Sequence, residues 1–143
     1  MSVASFFDTN VLLYTLDDVD QRKRGIANTL IVDAIAADNC CISYQVVQET
    51  LNDLTRKLTP AMTSEDKQGF VDRMLLPLWR VMPSIGLFRE GMSIQDRYRF
   101  SFYDSMIVAA ALSAGCRRLY SEDLQHGQKD DVAEKTLLVT RFF

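Results

Sequence analysis

Histidine is nearly absent from this chain, and its scarcity excludes several kinds of active site. The 143 residues include one histidine, His126. A ribonuclease that uses a pair of histidines as general base and general acid is therefore excluded. A Ser-His-Asp triad would also depend on His126, and no G-x-S-x-G motif supplies its serine. We interpret His126 as a structural residue of the turn that it forms with Gln125 and Gly127.

Phosphate-binding loops and long apolar runs are missing as well. Neither G-x-x-x-x-G-K-[ST] nor G-x-G-x-x-G occurs, so the nucleotide-binding folds built on these loops are not supported. No apolar run approaches the ~20 residues that a membrane span needs. The N-terminus, MSVASFFDTN, lacks the charged region and the long apolar run of a secretory signal. The sequence therefore predicts a cytoplasmic protein with no membrane segment.

Cysteine is scarce too. Cys40, Cys41 and Cys116 are odd in number, and their spacing matches neither a disulfide framework nor a metal site. Because all three lie among apolar residues, we expect reduced thiols in the core, as is usual in the cytoplasm.

Basic residues are also fewer than acidic ones, and the formal net charge is -3. Proteins that bind nucleic acid usually present a basic face to the phosphates. The acidic balance argues against such a role unless several acids are gathered in one metal site with basic residues around it. Hydrophobic residues make up 48% of the chain, which is enough for a core, and nothing divides residues 1–143 into more than one domain.

Short apolar runs alternate with helical periods along the whole chain. This alternation predicts an α/β fold with a mainly parallel sheet that is covered by helices on both faces. In such sheets the functional site lies beyond the carboxyl ends of the strands. The expected strands are Val3–Phe7, Cys40–Ser43, Trp79–Met82, Arg117–Tyr120 and Leu137–Thr140.

Four acids, far apart in sequence, are directed to that edge. Asp8 follows the first strand, and Asp123 follows the strand that ends at Tyr120. Glu49 lies in the second turn of the helix after Cys40–Ser43, and Asp104 lies in the first turn of an apolar helix. Each acid alone could be a helix cap, a turn residue or a solvated side chain. Their joint placement predicts a site.

Crowded carboxylates repel one another, and a divalent cation would supply the missing countercharge. Oxygen ligands with room for water and a substrate phosphate suit Mg²⁺ or Mn²⁺ better than zinc. Such ions lower the pKa of a bound water and stabilise charge on a leaving oxygen. The four acids therefore predict metal-assisted hydrolysis of a phosphodiester.

Four segments of the sequence resemble one known family. FFDTNVLLY, SYQVVQETLN, SFYDSMIVAAAL and LYSEDLQHG occur in that order, and together they are similar to the PIN-domain nucleases, in particular the toxin ribonucleases of VapBC toxin–antitoxin systems. The resemblance runs from about Ser5 to the last strand. It implies a PIN-like three-layer α/β/α sandwich with a central, mainly parallel sheet of four to five strands.

The resemblance also implies roles for individual residues. The acidic quartet of the family falls on Asp8, Glu49, Asp104 and Asp123, as catalytic residues that bind Mg²⁺ or Mn²⁺. Asn10 and Ser121 match the polar positions that orient carboxylates and waters. The location of the Glu122 side chain is left open: it either reaches the metal shell or faces solvent.

The implied activity is that of a metal-dependent endoribonuclease, the toxin of a type II toxin–antitoxin system, that hydrolyses RNA such as tRNA. The implied partners are an RNA substrate, a cognate antitoxin and a second copy of the chain in a homodimer. Apolar residues were expected to form a groove for the antitoxin; these are Leu12, Leu13, Leu75 and Leu78. Arg22, Lys23 and Arg24 begin a helix close in sequence to Asp8, and we expect them to contact the RNA backbone. The other basic clusters, Arg97 with Arg99 among them, are expected to be solvated.

Two other functions stay open at the level of sequence. One is a non-catalytic PIN-like module that binds RNA or protein, although such a scaffold would have no need for four mutually repelling acids. The other is an aspartate-based phosphatase, since Asp8 follows the first strand. The second acid that such enzymes carry two residues later is replaced here by Asn10.

Overall fold

The computed structural model describes residues 5–57, 62–122, 129–132 and 135–140. Within these ranges, strands and helices alternate as the sequence predicts. The strands are β1 (Ser5–Phe7), β2 (Cys40–Ser43), β3 (Trp79–Val81), β4 (Arg118–Tyr120), β5 (Lys129–Val132) and β6 (Lys135–Thr140). The helices are α1 (Thr9–Tyr14), α2 (Gln21–Ala37), α3 (Tyr44–Lys57), α4 (Ser64–Phe70), α5 (Ile85–Tyr98) and α6 (Phe102–Ser113), and a π-helical segment, Val71–Leu75, follows α4.

The described strands form one sheet in the order β3-β2-β1-β4-β6-β5. Each neighbouring pair from β3 to β6 is parallel, and only β5 pairs antiparallel, at the edge. Parallel crossovers are right-handed, so α1 to α4 cover one face and α5 and α6 cover the other. The expected three-layer α/β fold is confirmed. The sheet has one more strand than expected, because Lys129–Val132 (KDDV) carries no apolar pattern that would mark it as a strand.

The order of the strands creates a switch point between β1 and β4. From β1 the chain moves outward to β2 and β3, and it then returns to β4 on the other side of β1. At such a point the two crossovers leave a crevice outside the carboxyl ends of the strands, which is where ligands bind in α/β sheets. Asp8 and Ser121 directly follow β1 and β4, so both lie at this crevice.

The core lies between the sheet and its covering helices. Helix α6 is buried almost all round, from Ser105 to Leu112, as its apolar sequence predicts. The three cysteines are free and buried, so the prediction of reduced core thiols is confirmed. The Cys41 and Cys116 sulfurs lie 3.8 Å apart. Contact with Cys41, together with burial, raises the pKa of the Cys116 thiol.

The predicted antitoxin groove is wrong. Leu12, Leu75 and Leu78 are fully buried members of the core, and Leu13 packs against that core. Leu12 is buried because α1 packs against both α2 and α3. Periodicity identifies an apolar helix face but not the element that covers it. The large apolar side chains that are exposed among the described residues include Leu76, Met82, Ile85, Phe88 and Met92.

Among the described helices, none is both long enough and apolar enough to cross a membrane.

The packing of α5 on α6 depends on a glycine. Gly91 is buried in α5, and a Cβ built on it would lie 2.3 Å from the Met106 sulfur. Met106 is itself 2% exposed, so its side chain has little room to move away. Gly25, in the middle of α2, is exposed and would meet nothing within 4 Å.

We expect Gly91→Ala to lower the free energy of unfolding by about 1–3 kcal/mol through overpacking. Gly25→Ala is the matched control, and it should raise the free energy of unfolding by up to about 1 kcal/mol because alanine is the better helix former. Urea denaturation measures both. In a double-mutant cycle with Met106→Ala, most of the cost of Gly91→Ala should vanish; equal costs in both backgrounds would show that Met106 is not the obstacle.

Candidate active site

Asp8 is the centre of the polar contacts at the switch point. It is 6% exposed and forms the N-cap of α1, where its Oδ1 accepts a hydrogen bond from the Thr9 amide at 2.7 Å. Its Oδ2 accepts from the Ser121 hydroxyl at 2.9 Å, and its own amide donates to the Tyr120 carbonyl at 3.0 Å. Two of these contacts come from the last residue of β4 and the residue after it, so Asp8 is fixed from both sides of the crevice.

Glu49 is joined to Asp8 through Thr9. The Thr9 hydroxyl donates to Glu49 Oε2 at 2.7 Å, while the Thr9 amide is the donor to Asp8. Gln45, one helical turn earlier in α3, donates from Nε2 to Glu49 Oε1 at 2.8 Å. Both carboxylates are therefore oriented by neutral donors. A carboxylate oxygen can accept more than one contact.

Asp104 belongs to the same edge through Gln45. The Gln45 amide nitrogen also donates to the carbonyl of Tyr103 at 3.2 Å, and Tyr103 directly precedes Asp104 in the first turn of α6. The Asp104 amide donates to Ser101, the N-cap of α6, at 3.1 Å, and its side chain is half-buried. A continuous series of hydrogen bonds thus runs from Ser121 to the residue before Asp104.

The remaining predicted site residues fall in different places. Asn10 is half-buried in the first turn of α1. Asp123, the fourth acid, and His126 lie outside the described residues.

Glu122 is half-buried and is held by side chains of two helices. Its carboxylate accepts hydrogen bonds from the Tyr14 hydroxyl and from Lys23 Nζ, the latter at 3.1 Å. Lys23 Nζ also donates to the Tyr14 oxygen and lies 4.7 Å from the centre of its ring. Burial and the bond to Glu122 raise the pKa of Tyr14, and the bonds to Tyr14 and Glu122 raise the pKa of Lys23. The segment after β4 is thus tied to α1 and α2.

The predicted RNA-contacting residues differ in their surroundings. Lys23 is paired with Glu122, and Arg24 is paired with Asp18 at 3.1 Å. Arg22 is exposed.

Sequence reasoning missed two residues that organise the site. Thr9 is not among the residues predicted from the sequence, but it links Asp8, the N-cap of α1, to Glu49. Gln45 was not singled out, although a glutamine four residues before a glutamate in a helix is a pair that can interact. That spacing is the one signal that pointed to Gln45.

The donor set suits a hard divalent cation, because the acids supply carboxylate oxygens only. The described residues supply fewer grouped ligands than the sequence predicts. Among residues 5–57, 62–122, 129–132 and 135–140, no group of three or more His, Cys, Asp or Glu side chains is close enough to hold a metal ion. Asp8 and Glu49 share Thr9, which makes them the best-defined pair of metal-binding candidates.

Comparison with known proteins identifies the family. A family model of the PIN domain matches residues 5–132. The chain belongs to the PIN domain family. No curated protein sequence matches this PIN domain.

Several solved structures share the fold of this PIN domain. VapC20 of Mycobacterium tuberculosis, described as a Sarcin-Ricin loop cleaving toxin, is 19% identical with a TM-score of 0.62 over 84% of this chain and 90% of that chain. VapBC2 of Rickettsia felis, bound to a promoter DNA fragment, is 15% identical with a TM-score of 0.67 over 99% of this chain and 100% of that chain. VapBC of Salmonella typhimurium, bound to DNA, is 19% identical with a TM-score of 0.60 over 86% of this chain and 89% of that chain. The expected PIN domain is confirmed in family and fold.

We expect Thr9→Val to lower the free energy of unfolding by about 1 kcal/mol, because Glu49 loses a donor while the buried volume is kept. Thr9→Ser, which retains the hydroxyl, is the control and should cost less. Urea denaturation without added metal measures both. A Thr9→Val variant that is as stable as the parent would show that the Thr9–Glu49 bond adds nothing to the fold.

Proposed function

We propose that this PIN domain is a metal-dependent endoribonuclease, the toxin component of a type II toxin–antitoxin system, that hydrolyses phosphodiester bonds of RNA. The observation that supports it best is the series of hydrogen bonds that joins Ser121, Asp8, Thr9, Glu49 and Gln45 at the switch point and ends beside Asp104. Acids gathered at the ligand-binding edge of an α/β sheet need a functional reason, because their mutual repulsion opposes folding.

In this proposal the catalytic metal ligands are Asp8, Glu49, Asp104 and Asp123, and the bound ion is Mg²⁺ or Mn²⁺. Such an ion supplies a water of lowered pKa and stabilises charge on the leaving oxygen. Ser121 and Thr9 orient the carboxylates, and Asn10 is the further polar residue of the site.

The similar structures support the toxin assignment. VapC20 is described as a toxin that cleaves the Sarcin-Ricin loop, and the two other structures are VapBC complexes. By extension, the substrate proposed here is a structured RNA, of which tRNA is one example. The proposed setting is the cytoplasm, and the proposed assembly is a homodimer bound to a cognate antitoxin.

The first experiment measures RNA cleavage with and without metal. The purified protein should cleave a mixture of cellular RNAs in Mg²⁺ or Mn²⁺ and should stop when EDTA is added. Asp8→Asn should lose most of the activity, because a neutral amide binds the cation poorly. In the absence of metal the same variant should be at least as stable as the parent, since the substitution removes one of the repelling charges.

Asp33→Asn makes the same change at an exposed residue of α2, serves as the matched control and should cleave like the parent. Cleavage that persists in EDTA, or an Asp8→Asn variant with parental activity, would contradict the metal-dependent mechanism. Release of inorganic phosphate without shortening of the RNA would favour the phosphatase instead. If calorimetry detects no Mn²⁺ binding and the protein cleaves no RNA, a non-catalytic module would be favoured.

The second expectation is that a protein partner inhibits the enzyme at this site. An arginine can pair bidentately with carboxylates such as Asp8 and Glu49, and it would exclude metal and substrate phosphate together. We therefore expect the chain to arrest growth when it is expressed alone and to be tolerated when it is co-expressed with its antitoxin. Colony counts after induction measure the effect, and Asp8→Asn should be harmless in both settings. A parent chain that is harmless alone, yet cleaves RNA after purification, would contradict the toxin role and leave the nuclease.

A further inference from the structure

The segment from the end of α5 to the start of α6 carries basic and aromatic residues in alternation, directly before Asp104. Its sequence, from residue 97 to residue 103, is RYRFSFY. Arg97 and Arg99 are exposed, and the Arg97 guanidinium lies 5.3 Å from the centre of the Tyr98 ring. Tyr98 and Phe100 stack with ring centres 5.8 Å apart. The function proposed above makes no use of these side chains.

The two aromatic residues nearest Asp104 are directed toward solvent. Tyr103 is 66% exposed and Phe102 is 36% exposed. Their rings meet edge to face, with centres 5.4 Å apart. The two rings leave aromatic surface open beside Asp104. Large aromatic rings are usually buried, so two exposed rings at one edge indicate a binding surface.

The backbone under the two rings is held firmly. The Tyr103 carbonyl accepts a hydrogen bond from Gln45, the residue that also orients Glu49. Ser101 caps the first turn of α6 and fixes the backbone of Phe102 and Tyr103 from the other side. The rings are therefore exposed on a rigid support that is shared with the acidic site. A preorganised surface of this kind binds a ligand with little loss of conformational entropy.

Arg99 supplies an independent observation. It ends α5 with φ of 60°, in the left-handed region where glycine is the usual residue. The other described non-glycine residue in this region is Asp38, which is paired with Arg80. Aspartate tolerates the conformation through local hydrogen bonds, whereas arginine gains no such help. A long basic side chain at a position that favours glycine points to a role for its charge.

We propose that Phe102 and Tyr103 stack on unpaired bases next to the RNA bond that is cut at Asp104, while Arg99 contacts the RNA backbone. This inference rests on the proposed nuclease function and specifies its substrate as RNA with unpaired bases at the cut. Bases that are already splayed out can stack on aromatic rings, whereas paired bases cannot. Aromatic side chains can stack on bases while the arginines between them contact phosphates. The exposed aliphatic side chains, such as Ile85 and Met92, lie on α5.

The first test compares three substitutions by steady-state cleavage of a single-stranded oligoribonucleotide in Mg²⁺ or Mn²⁺. Tyr103→Leu keeps an apolar side chain but removes the ring, and it should raise KM by about 5-fold to about 150-fold, the equivalent of one lost base stack, with a smaller change in kcat. Tyr103→Phe keeps the ring and should behave like the parent. Phe88→Leu makes the same kind of change at an aromatic residue that is 39% exposed on α5, and it should leave KM unchanged.

The second test measures stacking without catalysis. In the Asp8→Asn background, an oligoribonucleotide that carries 2-aminopurine should change its fluorescence on binding, and Tyr103→Leu should abolish the change. The same label inside a fully paired duplex should give none. Arg99→Gly should reduce the salt dependence of binding by roughly one unit of slope. Its melting temperature should stay the same or rise by a few degrees, because glycine suits the backbone there.

The outcomes separate this inference from the function on which it rests. If the parent chain cleaves no RNA under any condition, the nuclease proposal fails whatever the fluorescence shows. If the parent cleaves RNA and Tyr103→Leu keeps the parental KM and fluorescence change, the stacking surface is overturned while the nuclease stands. If Tyr103→Leu loses only its antitoxin, with KM for RNA unchanged, the rings serve a protein contact and the inference is equally overturned.

Discussion

The parallel pairing of β1 with β4 is the constraint on which the rest of the structure depends. Each strand is three residues long, and their register aligns Phe7 with Tyr120. The pairing brings Asp8 within hydrogen-bonding distance of Ser121 although 113 positions separate them. Strands this short make few ladder bonds. Their alignment therefore depends on the core around Phe6 and Leu119, both fully buried. Core packing thus fixes the geometry of the polar site.

The acids are oriented mainly by neutral groups. Thr9, Gln45 and Ser121 donate hydrogen bonds to Asp8 and Glu49, which orients the carboxylates without cancelling their charge. Lys23, a cation near the end of β4, is paired with Glu122 instead. Neutral donors preserve the attraction of the site for an external cation, whereas a lysine placed among the acids would compete with it.

Much of the site could be predicted from the sequence. Sites in α/β sheets lie at the carboxyl ends of the strands, and applying this rule needs only the order of the strands and helices. Asp8 and Asp104 could be assigned to the carboxyl edge from the residues that precede them, and β2 begins and ends where its pattern predicts. Contacts between distant elements could not be predicted. The bonds from Tyr14 and Lys23 to Glu122 span 108 and 99 positions, and no local pattern marks them. The burial of Leu12 likewise depends on which helices cover it.

The net charge of -3 raises the question of how such a chain would hold a polyanion. Net charge governs long-range attraction, which falls off over about 8–10 Å at physiological salt. Contact affinity is decided locally, by a bound cation at the acids and by the groups beside it. Stacking on Phe102 and Tyr103 needs no net positive charge, because it acts on the faces of the bases rather than on the phosphates. An acidic PIN domain can therefore bind RNA where its own acids hold the cation and its aromatic rings hold the bases.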